Sequence, residues 1–132
     1  MSTMYAILPG PDMSWAQTER PEPGPGEGRI RVSTTAVNRA DLMQAAGHYP
    51  PPPGASPILG LECSGVVDAV GEGVTSPAVG DRVAALLAGG GYAEYAVCPA
   101  PHTLPVPDDM SLVEAGELPE VLTTDFLNLK IE

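Results

Sequence analysis

Basic residues are scarce in this 132-residue chain, where six lysines and arginines face seventeen aspartates and glutamates for a net charge of −11. Such a balance disfavours polyanionic partners, so neither nucleic acid nor an anionic membrane face is expected. Cysteine is nearly absent. Two thiols, Cys63 and Cys98, fit a reduced intracellular protein better than a disulfide scaffold. No apolar run approaches the roughly 18 residues of a membrane span. The first residues lack the basic-then-apolar pattern of a signal peptide. A cytoplasmic protein with no membrane partner is the resulting expectation. Aromatic residues are few, with one Trp, four Tyr and one Phe.

Proline and glycine are abundant instead, at sixteen and fifteen residues. With 43% hydrophobic residues the chain still has enough apolar mass for one modest core, which argues against disorder. Many short strands separated by Gly/Pro punctuation are expected, in a mainly β, partly open barrel. Residues 4–8 read as a first strand, stopped by Pro9-Gly10-Pro11, with 14–18 pairing back against it. Pro21-Glu22-Pro23-Gly24-Pro25-Gly26-Glu27-Gly28 reads as a connector without regular structure. Residues 29–35 alternate charged or polar with Ile30, Val32 and Thr34, the pattern of a half-exposed strand. Further strands are expected over 63–70, up to Leu87 after the Val79-Gly80-Asp81 turn, over 92–97 and over 102–106. Ser111-Leu112-Val113-Glu114 has capping-box spacing and starts a short helix. Pro119 interrupts it and restarts a helix through Leu122, Phe126 and Leu129.

Residues 38–65 organise the chain. Arg39 to Ala46 favour a short helix with Gly47 at its C-terminal boundary, and four prolines at 50–53 hold the backbone extended. The order Asn38-Arg39-Ala40-Asp41-Leu42-Met43-Gln44, then Gly47-x-Tyr49, then Pro51-Pro52-Pro53-Gly54-Ala55-Ser56, then Gly60-Leu61-Glu62-x-x-Gly65 resembles the medium-chain dehydrogenase/reductase superfamily. Within it the run is most similar to the zinc-free quinone oxidoreductases, in particular the p53-inducible quinone oxidoreductase group. The resemblance implies a GroES-like fold over about residues 4–130. It implies hydride transfer from NADPH to a quinone or enone.

Zinc-dependent relatives of this fold carry a cysteine at the opening of the first motif and a histidine after the glycine of the second. Asn38 and Leu61 stand there, and two cysteines cannot supply a four-thiolate structural site, so no metal is expected. The resemblance places Asn38 at the floor of the nicotinamide and substrate cleft and Tyr49 where the most similar group has a tyrosine implicated in catalysis. A phenol or an amide can stabilise the negative charge that builds on a carbonyl oxygen. A packing role for Tyr49 against Pro50 stays equally open. Asp41 reads as a solvated helix residue and Glu62 as mainly structural. Gly89-Gly90-Gly91 precedes a strand-like stretch, not a helix, so a hairpin or barrel-edge loop is expected there and no phosphate cradle. Leu118-Pro119-Glu120 with Thr124 resembles the superfamily's crossing into its dinucleotide-binding domain, where that threonine approaches the nicotinamide. Glu117 and Asp125 depart from the alanines usual at their positions.

These boundaries give a GroES-like catalytic domain at 1–118 and the start of a crossover helix at 119–132. No Gly-x-Gly-x-x-Gly follows, so the Rossmann domain that holds NADPH in the superfamily is expected to be absent from this chain. Two functions remain open: the catalytic-domain portion of an NADPH-dependent quinone oxidoreductase, or a stand-alone, non-catalytic GroES-like module for binding or assembly. The apolar stripe of Leu118, Leu122, Phe126 and Leu129 points to a homo-oligomer, a symmetric dimer.

Overall fold

A computed structural model describes residues 2–8, 14–35, 56 and 58–112. Seven strands run in the order β1 (Thr3–Ile7), β2 (Trp15–Glu19), β3 (Glu27–Thr35), β4 (Glu62–Val70), β5 (Arg82–Leu86), β6 (Tyr95–Pro99) and β7 (Thr103–Pro105), with one 3-10 turn, Ala100–His102, between the last two. β1 and β2 form a two-stranded unit. The other five make one antiparallel sheet in the order β6-β3-β4-β5-β7.

The connection from β6 to β7 determines the shape of that sheet. These strands lie at opposite edges, which in a flat sheet would stand about 19 Å apart, four spacings of about 4.8 Å. Three residues of 3-10 turn join them, and such a turn advances only about 2 Å per residue. The sheet must therefore roll until its edges nearly meet, which gives the expected partly open barrel. Two register shifts in β3, at Arg29/Ile30 and Val32/Thr34, supply local bend and twist for this roll. Inside pack Ile30, Val67, Val83, Ala85 and Ala96 with the two thiols. A second cluster of Met4, Ala6, Ile58, Leu59, Tyr92 and Ala93 joins the β1–β2 unit to the barrel.

Several expectations need correction. Glu27 and Gly28, read as part of an irregular connector, already belong to β3. The stretch expected as strand from 92 begins only at Tyr95, because Tyr92 to Glu94 are spent on the β1–β2 unit through an isolated Ala6–Ala93 bridge. Of the hairpin or barrel-edge loop expected at 89–91, the hairpin is excluded, since β5 and β6 are separated by β4 and β3. The helices expected over 39–46 and beyond residue 112 lie outside the described residues.

Arg29 breaks the alternation of β3, for it is buried at 6% exposure beside the exposed Arg31. Its guanidinium forks onto Asp68, Nε to Oδ1 at 2.8 Å and Nη2 to Oδ2 at 3.2 Å, and Nη1 donates to Glu22 Oε2 at 3.0 Å and to the Pro21 carbonyl at 3.2 Å. It also lies 5.5 Å from the Tyr95 ring centre. The hydrogen bond to Asp68 is the main reason its pKa rises further, so the charge stays fixed. One residue thus ties β3, β4, β6 and the proline-rich connector together.

β3 and β4 meet without a side chain between them at Gly65, where an added Cβ would sit 2.1 Å from the Arg31 carbonyl oxygen. Gly65→Ala is expected to cost about 3 kcal/mol of stability, the scale of severe overpacking. Gly73→Ala, at φ +84° with nothing within 4 Å of its Cβ, should cost only about 1 kcal/mol for the left-handed backbone. Urea melts of the two variants measure the contrast.

Candidate active-site cleft

The residues at the mouth of the barrel are brought together by backbone, not by side chains. β3 ends at Thr35, three residues before Asn38, and the chain returns through Ile58 to Glu62 into β4. Gly60 takes φ +111°, and an added Cβ there would lie 2.6 Å from Gly91 Cα. At this crossing Gly90 N–H donates to the Ile58 carbonyl at 2.7 Å, Tyr92 N–H to Leu59 at 2.9 Å and Gly91 N–H to Gly60 at 3.2 Å. The Thr35 hydroxyl donates to the Glu62 carbonyl at 2.8 Å and binds the end of β3 to the same knot.

Over this knot opens a cleft of about 360 Å³. Val32, Thr34 and Thr35 form one wall, Gly91 to Glu94 the other, and Ile7 and Trp15 of the β1–β2 unit close one side. The β1–β2 unit is held in place by Glu94, whose carboxylate accepts from Tyr5 N–H at 2.6 Å while its own N–H donates to the Tyr5 carbonyl at 3.0 Å. Apolar walls with a few hydroxyls suit a flat, weakly polar molecule. Among the described lining residues there is no histidine, lysine or cysteine; the ionisable side chains are the Tyr92 phenol and the Glu94 carboxylate, which accepts from Tyr5 N–H.

Asn38, Tyr49 and Thr124, the residues expected to carry catalysis and cofactor contact, lie outside the described residues, as do Asp41 and His48. Glu62 is described and is 1% exposed at the first position of β4, opposite Leu86 of β5. Leu61, just before it, offers no metal-ligating atom in its side chain. Among the described residues no three His, Cys, Asp or Glu side chains gather as a metal group. Both thiols are free and buried. Burial foremost, then Cys98 and Glu62, pushes the Cys63 pKa far up. Burial and Glu27 push Cys98 up to about 11. Neither thiol is a nucleophile at neutral pH.

Sequence reasoning missed Thr35 and Glu94. A threonine closing a strand and a glutamate in a strand-like run carry no distinctive local pattern, and their roles depend on partners far away in the chain. The Gly60 and Gly91 positions were visible as motif residues, but their mutual contact was not.

Residues 24–108 match the alcohol dehydrogenase GroES-like domain. The human synaptic vesicle membrane protein VAT-1 homolog-like is 38% identical over 109 residues, 83% of this chain and 26% of that protein. The chain thus spans about a quarter of the length of this relative. The crystal structure of the human VAT-1 homolog-like protein superposes with a TM-score of 0.86 at 33% identity, covering 96% of this chain and 43% of that one. A mycobacterial quinone oxidoreductase gives 0.76 at 36% identity, covering 94% and 40%, and a mycobacterial relative solved with NADPH gives 0.75, also at 36% identity, covering 94% and 39%. A cobalt- and zinc-bound alcohol dehydrogenase from Pyrobaculum aerophilum gives 0.76 at 32% identity, covering 89% and 45%.

The buried thiols set an alkaline limit on stability. Their folded pKa values lie above the ordinary 9.0, so the unfolded chain loses these protons first as pH rises. The stability this confers is complete below pH 9 and drains away as pH rises, over a window that closes near pH 11 for Cys98 and well above it for Cys63. Urea midpoints should fall across that window, and Cys63→Val/Cys98→Val should flatten the fall.

Proposed function

Since the chain belongs to the alcohol dehydrogenase GroES-like domain family, we propose that it forms the substrate side of a zinc-independent, NADPH-dependent reductase of quinones or enones. The observation that carries this reading is the cleft at the end of β3. It has apolar walls, it sits on the Gly60–Gly91 crossing, and the chain leaves it three residues before Asn38.

The described residues do not fit the dinucleotide itself. A pyrophosphate needs backbone N–H groups at a helix N-terminus after a glycine turn. The helical turn present, Ala100–His102, has three residues, and Gly89 to Gly91 lead into a bridge with β1. The proposed part of this chain is therefore to bind and orient the acceptor. Asn38 and Tyr49 would donate hydrogen bonds to the acceptor's carbonyl oxygen. A phenol with its ordinary pKa near 10 stays protonated at neutral pH and can hold developing negative charge there. Thr124 would approach the nicotinamide carried by further sequence. Asn38 and Leu61 support independence from zinc, because neither replaces a thiolate or an imidazole. Two buried, unpaired thiols support a cytoplasmic setting. No helix among the described residues is long and apolar enough to cross a membrane.

Elemental analysis of the purified chain should find zinc far below the roughly one ion per chain of a catalytic site. Stoichiometric zinc would overturn the zinc-independent reading. Titration of the 132-residue chain with NADPH should show no micromolar binding. When the chain is joined to a dinucleotide-binding domain, Tyr49→Phe should lower quinone turnover by about a hundredfold, the usual range for a lost proton donor. NADPH affinity should stay as it was. Unchanged turnover would return Tyr49 to a packing role.

A further inference from the structure

The outer edge of β2 is a row of backbone groups with a definite orientation. β1 lies between β2 and the segment 92–94, and its hydrogen bonds alternate between the two. Ile7 N–H donates to the Tyr92 carbonyl at 2.8 Å, and the Tyr5 carbonyl accepts from Glu94 N–H at 3.0 Å. The odd-numbered residues of β1 thus face 92–94, and Met4 and Ala6 face β2. Their register partners are Thr18 and Ala16. The flanking bonds agree, for Leu8 N–H donates to the Ser14 carbonyl and Arg20 N–H to that of Ser2. It follows that the N–H and C=O groups of Trp15, Gln17 and Glu19 point away from β1, along an edge that pairs with no other described strand.

Natural sheet edges are usually blunted by proline, lysine, a bulge or extreme shortness. β7 has three residues and ends in Pro105. β2, Trp-Ala-Gln-Thr-Glu, has no proline, lysine or bulge, and its one charge, Glu19, stands at its end. The face beside it is aromatic. Tyr5 and Trp15 are 45% and 59% exposed and stack at 5.8 Å between ring centres, 15° from parallel. Exposed aromatic pairs next to an open edge mark an association surface.

We infer that β2 pairs antiparallel with β2 of a second copy of this chain, on a two-fold axis through Gln17. The strand is self-complementary in that register. Gln17 faces the partner's Gln17, and Trp15 faces the partner's Glu19. All three outward residues then form hydrogen-bonded pairs, each exchanging two N–H···O=C bonds, or about six bonds in total. The two Glu19 carboxylates fall four residues apart along the ladder, about 14 Å at about 3.4 Å per residue. That exceeds the roughly 10 Å screening length at 0.1 M salt, so a chain of net charge −11 meets itself here without facing like charges. A register shifted by two residues would lose one or more of these pairs.

Trp15 is the single tryptophan of the chain and reports on this surface directly. Sedimentation from low to high micromolar concentration should show a monomer–dimer equilibrium, with Trp15 emission shifting to the blue as the dimer fills. Gln17→Pro removes an N–H that no described residue uses, and Gln17→Lys sets two ammonium groups face to face across the axis; both also lose the exposed bond from Gln17 Nε2 to Thr3 Oγ1. Both should raise the dissociation constant at least about tenfold and abolish the concentration-dependent shift. Gln17→Lys loses only the exposed bond to Thr3 within the chain, so it should lower the urea midpoint at low concentration little, and it carries the test if the proline variant does not fold. A wild type that stays monomeric at high micromolar concentration would overturn the proposal. So would a dimer that survives Gln17→Lys, or one lost only in Leu122→Asp/Phe126→Asp, which would place the interface on residues 113–132.

Discussion

Backbone touches backbone where the cleft of this protein is made. The approach of Gly60 to Gly91 leaves no room for a Cβ on Gly60, and the left-handed backbone of Gly60 turns the chain into β4. Everything near the mouth depends on that contact. The carbonyls of Ile58, Leu59 and Gly60 are satisfied by it, Thr35 is bound to it through Glu62, and Tyr92, just past it, holds Ile7 of β1. Side chains could not bring three remote segments this close, because each would need its own packing volume. Glycine removes that volume, and buried hydrogen bonds then fix the geometry.

The barrel below works on the opposite principle. There the strands are kept in register by side chains, and Arg29 is the main polar one. A buried guanidinium is costly unless its donors are used, and here it reaches two carboxylates, a carbonyl and an aromatic face. The apolar interior is made of small and medium residues, Ile30, Val67, Val83, Ala85 and Ala96. That fits a chain with few aromatics, in which a tightly rolled sheet leaves little space to fill. The result is a rigid frame whose open end, not its interior, is free to bind.

The strands were legible because each has a short alternating run bounded by Gly or Pro. β4 and the β1–β2 unit were read within one or two residues. Arg29 misled, since an arginine in an alternating run looks solvent-facing until Asp68, 39 residues away, is seen to receive it. The 89–91 run leads into a bridge and then β6, in keeping with its strand-like sequel, but its path to β6 past β4 and β3 is set by sheet order, which local pattern does not contain. The resemblance carried the fold, because its motifs span most of the chain. It named Asn38, Tyr49 and Thr124 as site residues, whereas the roles of Thr35 and Glu94 depend on contacts between segments far apart in sequence.

Strand order also governs how the chain can come into being. β3 sits between β4 and β6, so neither neighbour exists while residues 27–35 are being made. The strand must wait, with Ile30 and Val32 uncovered, until Glu62–Val70 and then Tyr95–Pro99 have followed. At about 5–20 residues per second of synthesis, that interval lasts several seconds at least. Pairings this distant are also slow to form by themselves. During translation β3, an inner strand of the finished sheet, is therefore a vulnerable segment of the nascent protein. The polar alternation of Arg29, Arg31 and Ser33 between its apolar residues then has a second use, as protection against aggregation on the ribosome.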